Sequence, residues 1–223
     1  MRRYQTMLFD LDDTLLDRDK AVDRMFSIIL ENCYGEVRES AKSDMLQKFK
    51  EYDNGGGYSN KVEIFESFFN VFPPKYRLQG NNIMDFWNNN FPSCFSLKQN
   101  TINIVNSIKV HVKVGIITNG ITQRQKEKIV NTNLDRCFDI IIISDEVGYS
   151  KPDKRIFKLA LNKLDVQPET ALFVGDNIEK DIGGCQNANI NGIWFNPRKV
   201  INDTMIKPYA EISSLEELLV YFT

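Results

Sequence analysis

The sequence has few of the side chains that most often bind transition metals. It contains one histidine, His111, which we interpret as a strand-edge residue, and a histidine-rich metal site is excluded by count. The four cysteines are far apart and form no Cys-x-x-Cys pair: Cys33, Cys94, Cys137 and Cys185. They are interpreted as reduced thiols, since their spacing predicts neither a zinc site nor a disulfide framework. Any chemistry must therefore use carboxylates, hydroxyls, lysines or a hard metal ion.

The sequence also lacks a surplus of either charge and any long hydrophobic run. Its 28 Lys and Arg residues face 30 Asp and Glu residues, so no basic excess is available for a nucleic acid polymer or an anionic membrane surface. No apolar run approaches the roughly 20 residues that cross a bilayer. The N-terminal segment turns acidic where a signal peptide would stay apolar. We expect a cytoplasmic monomer or weak homodimer that binds neither nucleic acid nor membranes.

From residue 97 onward, short β-branched apolar runs alternate with segments of helical periodicity. The expected strands there are residues 114–118, 140–143, 171–174 and 192–195, followed by an edge strand at 210–212. A similar run at residues 6–9 is the expected first strand of the same sheet. The expected helices are residues 121–132, 154–164 and 178–188, with a capped closing helix at 213–221. This alternation is typical of βαβ units. It predicts an α/β fold with a doubly wound, mainly parallel sheet.

Residues 17–94 contain no comparable strand run. They are predicted to form a helical domain inserted into a core of residues 1–16 and 95–223, with helices at 21–33, 40–52, 61–71 and 83–90. Gly55–Gly57 is a predicted flexible interruption, and Pro73-Pro74 a helix terminator. The insert is rich in aromatic residues at helical spacing, such as Phe65, Phe68 and Phe72. We therefore expect most of them to form the insert's own core, and one or two to face a ligand.

Polar residues follow four of the predicted strands. They are Asp10-Leu-Asp12-Asp13-Thr14, Thr118-Asn119-Gly120, Ser150-Lys151-Pro152, and Gly175-Asp176-Asn177 with Asp181. Because open parallel sheets bind ligands at the carboxyl ends of their strands, these residues are expected to converge. Crowded carboxylates repel one another unless a cation lies among them. Oxygen ligands of this kind suit Mg²⁺, which is usually held by one or two carboxylates and a substrate phosphate.

These four motifs, in this order, resemble those of the haloacid dehalogenase superfamily. The resemblance spans the whole core, and the insertion after the first motif is similar in position and length to the helical cap of the first cap class. It implies a Rossmann-like catalytic core with a cap domain. The wider pattern, including Gly192-Ile-Trp-Phe-Asn196, is similar to the bacterial housekeeping subgroup that dephosphorylates nucleoside monophosphates.

The resemblance also implies a role for each matching residue. Asp10 is the expected nucleophile, and Asp12 the general acid and base. The expected phosphate-binding residues are Thr118, Asn119 and Lys151, with further donors from amides at the start of the helix after Gly120. The expected Mg²⁺ ligands are Asp10, the backbone carbonyl of Asp12, Asp176 and Asp181. Asn177 either orients Lys151 or caps the following helix.

The resemblance favours a phosphohydrolase over a dehalogenase. Dehalogenases of this superfamily work without Mg²⁺ and lack the second aspartate, whereas this chain has both Asp12 and Asp176. The expected substrate is a small phosphorylated metabolite, with nucleoside 5′-monophosphates ahead of sugar phosphates. A phosphomutase shares all four motifs and stays an alternative. An alternative of another class is a catalytically silent protein that binds a phosphorylated ligand or a partner.

Overall fold

A computed structural model describes residues 4–54 and 60–222 of the chain. Two compact units are present: one combines Met1–Asp17 with Ser96–Thr223, and the other is Arg18–Phe95. The interruption expected at Gly55–Gly57 lies outside the described residues. In the part of the chain that is described, no helix is both long and apolar enough to cross a membrane.

The first unit is built around one parallel sheet. Within the described residues it has six strands in the order β3-β2-β1-β4-β5-β6. Their bounds are Thr6–Phe9 (β1), Lys113–Thr118 (β2), Ile140–Ile143 (β3), Ala171–Gly175 (β4), Asn191–Phe195 (β5) and Ala210–Ile212 (β6). Every neighbouring pair is parallel. The predicted α/β fold with a doubly wound parallel sheet is confirmed.

Strand β1 lies between β2 and β4. Its last residue, Phe9, pairs with Ile116 on β2 and with Val174 on β4, and all three side chains are fully buried. Such continuously apolar strands suit a sheet that helices cover on both faces. Because the strands are parallel, the residues that follow them emerge at the same edge of the sheet, which is where open α/β sheets bind ligands.

Helices connect these strands. They are α5 (Thr101–Lys109), α6 (Thr122–Asn131), α7 (Ser144–Val147), α8 (Lys154–Leu164) and α9 (Gly184–Gln186). The segment predicted as a single helix at 178–188 begins as a π-helix, Ile178–Gly183, before α9. The unit ends in a 3₁₀-helix, Leu215–Tyr221, whose capping box pairs Ser214 with Glu217.

The second unit is helical. Its described α-helices are α1 (Arg18–Ile29), α2 (Glu39–Asp53), α3 (Lys61–Val71) and α4 (Asn81–Asn90). Aromatic residues form its core, and Phe49 packs edge-to-face against Phe68 with ring centroids 5.4 Å apart. Phe65, Phe69 and Trp87 are likewise almost fully buried. The expectation that most aromatics of the insert serve its own packing is confirmed for these residues.

Candidate active site

The predicted site residues of the first unit lie at the carboxyl edge of its sheet. Asp10 directly follows β1, Thr118 ends β2 and Asp176 directly follows β4. Asp181 lies in the π-helix after β4, and Lys151 lies in the loop before α8. Strand pairing β2-β1-β4 therefore brings together residues that are more than 100 positions apart in the sequence.

Lys151 is a buried cation in contact with two of these aspartates. Its Nζ lies 2.5 Å from Asp10 Oδ1 and 2.7 Å from Asp181 Oδ1. Only 3% of the lysine side chain is exposed, so the ammonium has exchanged water for these carboxylates. Burial alone would lower the pKa of Lys151, but Asp10 and Asp181 outweigh burial and raise it. Lys151 is thus held in its charged form.

Asn119 positions this lysine through the backbone. Its Nδ2 donates to the Lys151 carbonyl at 2.9 Å, and the Lys151 N–H donates to Asn119 Oδ1 at 2.8 Å. Asn177, the other residue considered for this role, instead caps the π-helix by accepting from Glu179 N–H and Lys180 N–H. The side chain of Asn119 is therefore already engaged with Lys151.

Asp10, Asp176 and Asp181 form a carboxylate cluster in which one oxygen of each lies within 4.8 Å of the others. Asp181 Oδ2 accepts from the Asn177 N–H at 3.0 Å. Trp194 Nε1 donates to the Asp176 carbonyl at 2.7 Å and so anchors that residue's backbone. The predicted convergence of these three aspartates is present in the structure.

If all three were ionised, the carboxylates of the cluster would carry more negative charge than Lys151 balances. Burial raises the pKa of Asp10 to about 7, with Asp181 adding to the rise and Lys151 opposing it. Burial likewise raises the pKa of Asp176 to about 8, with Asp10 and Asp181 adding to it. Three hard oxygen ligands with an unbalanced charge fit a divalent cation such as Mg²⁺. Asp10, Asp176 and Asp181 are therefore the side chains that can hold the metal.

Glycine is required beside this cluster. A Cβ atom on Gly175, the last residue of β4, would lie 2.4 Å from Asp181 Oδ2. Real Cβ atoms essentially never come so close to another heavy atom. The missing side chain lets the buried Asp181 carboxylate lie against the end of β4.

Asp12 is turned away from the carboxylate cluster and contacts helix α6. Lys128 Nζ lies 2.9 Å from Asp12 Oδ1 and 2.8 Å from Asp12 Oδ2. Gln125 Nε2 donates to Asp12 Oδ2 at 3.1 Å and to Thr118 Oγ1 at 2.6 Å. The metal contact expected from the backbone carbonyl of Asp12 stays a prediction.

Gln125 and Lys128 were not predicted as site residues from the sequence. The signal for them is the composition of α6, where Ile129 and Val130 are the only apolar residues. A helix packed on a sheet needs a buried face, and so few apolar residues require polar ones to complete it. Gln125 and Lys128 are indeed buried with Ile129.

Two amides at the start of α6 already have acceptors. The Gly120 N–H donates to Ser144 Oγ at 3.0 Å, and the Thr122 N–H donates to Asp145 Oδ2 at 3.0 Å. The expectation that amides at this helix start donate to phosphate is therefore wrong for these two groups. Their hydrogen bonds are accepted by Ser144 and Asp145, which both lie in α7.

Comparison with known proteins finds a matching family and relatives that align over nearly the whole chain. Residues 7–195 match the haloacid dehalogenase-like hydrolase family. The chain is 31% identical to a glyceraldehyde 3-phosphate phosphatase of Pyrococcus furiosus, with 98% of this chain and 93% of the relative covered. It is 28% identical to the pyrimidine 5′-nucleotidase YjjG of Escherichia coli, with 97% and 96% covered.

A solved structure has the same fold. The HAD-hydrolase YfnB of Bacillus subtilis, described in a magnesium-bound form, superimposes with a TM-score of 0.80. The two chains are 24% identical, and the superposition covers 99% of each. At this identity the likeness concerns the fold alone.

Proposed function

The chain belongs to the haloacid dehalogenase-like hydrolase family, as its four motifs predicted, and from this premise we propose that it is a Mg²⁺-dependent phosphatase. The observation that carries the proposal is the contact of the buried Lys151 ammonium with Asp10 and Asp181. This contact supports the proposal, because a buried cation lies beside the carboxylate that we propose as the nucleophile. Both lie at the sheet edge where such folds bind ligands.

Asp10 is the proposed nucleophile. One of its oxygens attacks phosphorus, the bond from phosphorus to the ester oxygen breaks, and that oxygen leaves as an alcohol with a proton from Asp12. Water then attacks the aspartyl-phosphate at phosphorus. Asp12 takes a proton from the water, the bond from phosphorus to Asp10 breaks, and inorganic phosphate is released. Asp12 thereby regains the proton that it gave to the leaving group.

Thr118 and Lys151 are the proposed contacts of the phosphoryl oxygens. The Thr118 hydroxyl accepts from Gln125 at 2.6 Å, so its own proton is available for a phosphate oxygen. The Lys151 charge opposes the negative charge of the transferring group. The phosphate contact predicted for Asn119 stays a prediction, and its observed bonds make it a positioning residue for Lys151.

Mg²⁺ is the proposed cofactor. Asp10, Asp176 and Asp181 would hold it with their side chains, and Asp12 with its backbone carbonyl. When bound, the ion neutralises charge on the nucleophile and on the phosphoryl oxygens. The charge excess of the carboxylate cluster over Lys151 supports this assignment.

Nucleoside 5′-monophosphates are the proposed substrates, in line with the subgroup resemblance and with the name of the Escherichia coli relative. Sugar phosphates and other small phosphometabolites are the second candidate, favoured by the name of the Pyrococcus furiosus relative. A phosphomutase and a silent ligand-binding protein remain the alternatives. A cytoplasmic location belongs to the same proposal, since all four cysteines are buried free thiols.

Phosphate release from a substrate panel tests the proposal. The panel contains nucleoside monophosphates, sugar phosphates and an aryl phosphate, each with Mg²⁺ and with chelator. The proposal expects Mg²⁺-dependent release that is lost in Asp10→Asn and retained in Asp203→Asn, which changes an exposed aspartate of the first unit. Folded wild-type protein that releases no phosphate from any member would favour the mutase or the silent protein.

A further inference from the structure

Helix α6 carries two buried polar side chains that reach the predicted catalytic residues. Gln125 is 2% exposed, and the Lys128 side chain is 8% exposed. Lys126, on the same helix, is 57% exposed and pairs with Glu146. Burial of a lysine and an amide costs free energy unless both are paired. The contacts that Gln125 and Lys128 make with Asp12 and Thr118 therefore offset the cost of burying them.

Both oxygens of Asp12 are held by this helix. Lys128 contacts Oδ1 and Oδ2 at 2.9 and 2.8 Å, and Gln125 donates to Oδ2 at 3.1 Å. A carboxylate with both oxygens bound has a defined orientation, unlike one that rotates in solvent. Lys128 therefore has a task separate from that of Lys151, which contacts Asp10 and Asp181.

Gln125 joins Asp12 to a second site residue. Its single amide nitrogen bridges Asp12 Oδ2 and Thr118 Oγ1. Gly120 leaves space for it, because a Cβ atom there would meet the Gln125 side chain at 3.0 Å. One side chain thus sets the relative placement of the proposed proton donor and a proposed phosphate contact.

We propose that Lys128 and Gln125 are positioning residues that orient Asp12 for proton transfer to the leaving group, with Gln125 also orienting Thr118. The inference rests on the proposed phosphatase function. It concerns the step in which the bond to the ester oxygen breaks and Asp12 supplies a proton from one carboxyl oxygen while Lys128 keeps its contact with the other. A misplaced Asp12 slows this step most when the leaving oxygen is strongly basic, since such an oxygen cannot depart without a proton.

Substrates with different leaving groups therefore distinguish a positioning role of Lys128 from a merely structural one. An alkyl phosphate has a basic leaving oxygen, whereas an aryl phosphate with an acidic phenol departs with little protonation. The quantity to compare is kcat/KM, which covers steps up to the first irreversible transfer to Asp10 and excludes hydrolysis of the aspartyl-phosphate. A structural defect lowers kcat/KM for both substrates by the same factor.

The experiment compares wild type, Lys128→Met and Lys128→Arg on both substrates with Mg²⁺. Because a well-placed general acid contributes about 10² to 10⁴-fold, Lys128→Met is expected to lower kcat/KM about 10 to 100-fold for the alkyl phosphate. The loss for the aryl phosphate is expected to stay below about 3-fold on the same grounds. Lys128→Arg should restore part of the alkyl activity. Lys126→Met is the matched control and should resemble wild type.

Two outcomes would overturn the inference. An equal loss on both substrates in folded Lys128→Met would show a structural role and leave the phosphatase function intact. Wild type that hydrolyses neither substrate would overturn the proposed function and this inference together. If Lys128→Met does not fold, Gln125→Met carries the same test, with Gln123→Met on the exposed side of α6 as its control.

Discussion

The Lys151 ammonium lies 2.5 Å from Asp10 Oδ1, and both side chains are buried at the carboxyl edge of the sheet. The lysine is placed by its own backbone, which exchanges two hydrogen bonds with the side chain of Asn119 at the end of β2. Asp10, Asn119 and Lys151 therefore come together from three separate parts of the sequence: the ends of β1 and β2 and the loop before α8.

Replacing Lys151 by Met should abolish most of the phosphatase activity. The substitution removes the cation that opposes charge on Asp10 and on the phosphoryl group, and loss of one such group costs about 10² to 10³-fold in kcat. The measurement is kcat for phosphate release with saturating Mg²⁺. Lys154→Met, which changes an exposed lysine on α8, is the control. Equal activity in both variants would remove Lys151 from the proposed mechanism.

Mg²⁺ should stabilise the protein, and Asp176 should be needed for that effect. Ligand at 100 times its Kd adds about 2.7 kcal/mol to the free energy of unfolding. In chelator above pH 8, where Asp176 with its pKa of about 8 is ionised, Asp176→Asn should unfold at a higher temperature than wild type, because it removes one charge from the carboxylate cluster. Adding Mg²⁺ should raise the unfolding temperature of Asp176→Asn much less than that of wild type.

Thermal unfolding with chelator and with Mg²⁺ measures both effects. Asp203→Asn should respond to Mg²⁺ as wild type does, because Asp203 is exposed outside the carboxylate cluster. The same Mg²⁺ response in Asp176→Asn as in wild type would contradict the proposed metal site.

Loss of the Asn119 side chain should mainly lower kcat, whereas loss of the Asn177 side chain should mainly lower stability. Asn119→Ala frees the Lys151 backbone, and a displaced catalytic group costs about 10-fold or more in kcat. Asn177→Ala removes a helix cap, which costs about 1 kcal/mol of stability. Denaturant unfolding and kcat measured on both variants make the comparison. A larger kcat loss in Asn177→Ala than in Asn119→Ala would reverse the assignment.

The sheet was predictable because its strands are continuous runs of apolar, largely β-branched residues, as in Ile140–Ile143. Helix α5, Thr101–Lys109, was not predicted. Four of its nine residues are isoleucine or valine, which have low helix propensity. Packing decides its structure, since Ile104, Val105 and Ile108 are buried.

The carboxylate cluster was predictable from strand ends alone, because parallel strands deliver Asp10 and Asp176 to one edge. Gln125 and Lys128 were not predicted. They are the fourth and seventh residues of α6, a helix so polar that its sequence resembles a solvated face. Their burial depends on tertiary contact with Asp12, which residue spacing does not reveal.

The N-cap of α8 should contribute stability that depends on pH. Asp153 accepts from the guanidinium and the backbone N–H of Arg155, which lowers its pKa to about 2. A lowered pKa in the folded state means that the contribution is present above the unfolded value of 3.8 and is lost as pH falls toward 2. Wild type should exceed Asp153→Ala in unfolding free energy at pH 6, with the difference shrinking below pH 4. Denaturant unfolding at several pH values checks it, and a constant difference would contradict it.

Gly175→Ala tests whether the close approach at the end of β4 sets the metal site. The added Cβ would lie 2.4 Å from Oδ2 and 2.6 Å from Cβ of Asp181, which Lys151 and the Asn177 N–H hold in place. The Asp181 side chain therefore has to move. Because Asp181 and its partner Lys151 are both buried, we expect a loss of about 1 to 3 kcal/mol in unfolding free energy. The displacement should also weaken the stabilisation by Mg²⁺.

Gly183→Ala is the matched control for this substitution. Its Cβ would meet Ile206 Cδ1 at 2.9 Å, which is the end of a flexible side chain. Gly183 also lies in a helical segment, where alanine is favoured over glycine. Gly183→Ala should therefore keep its stability and its Mg²⁺ response. If Gly175→Ala kept both as well, Asp181 would have room to shift without loss, and its fixed position against β4 would not be what holds the metal.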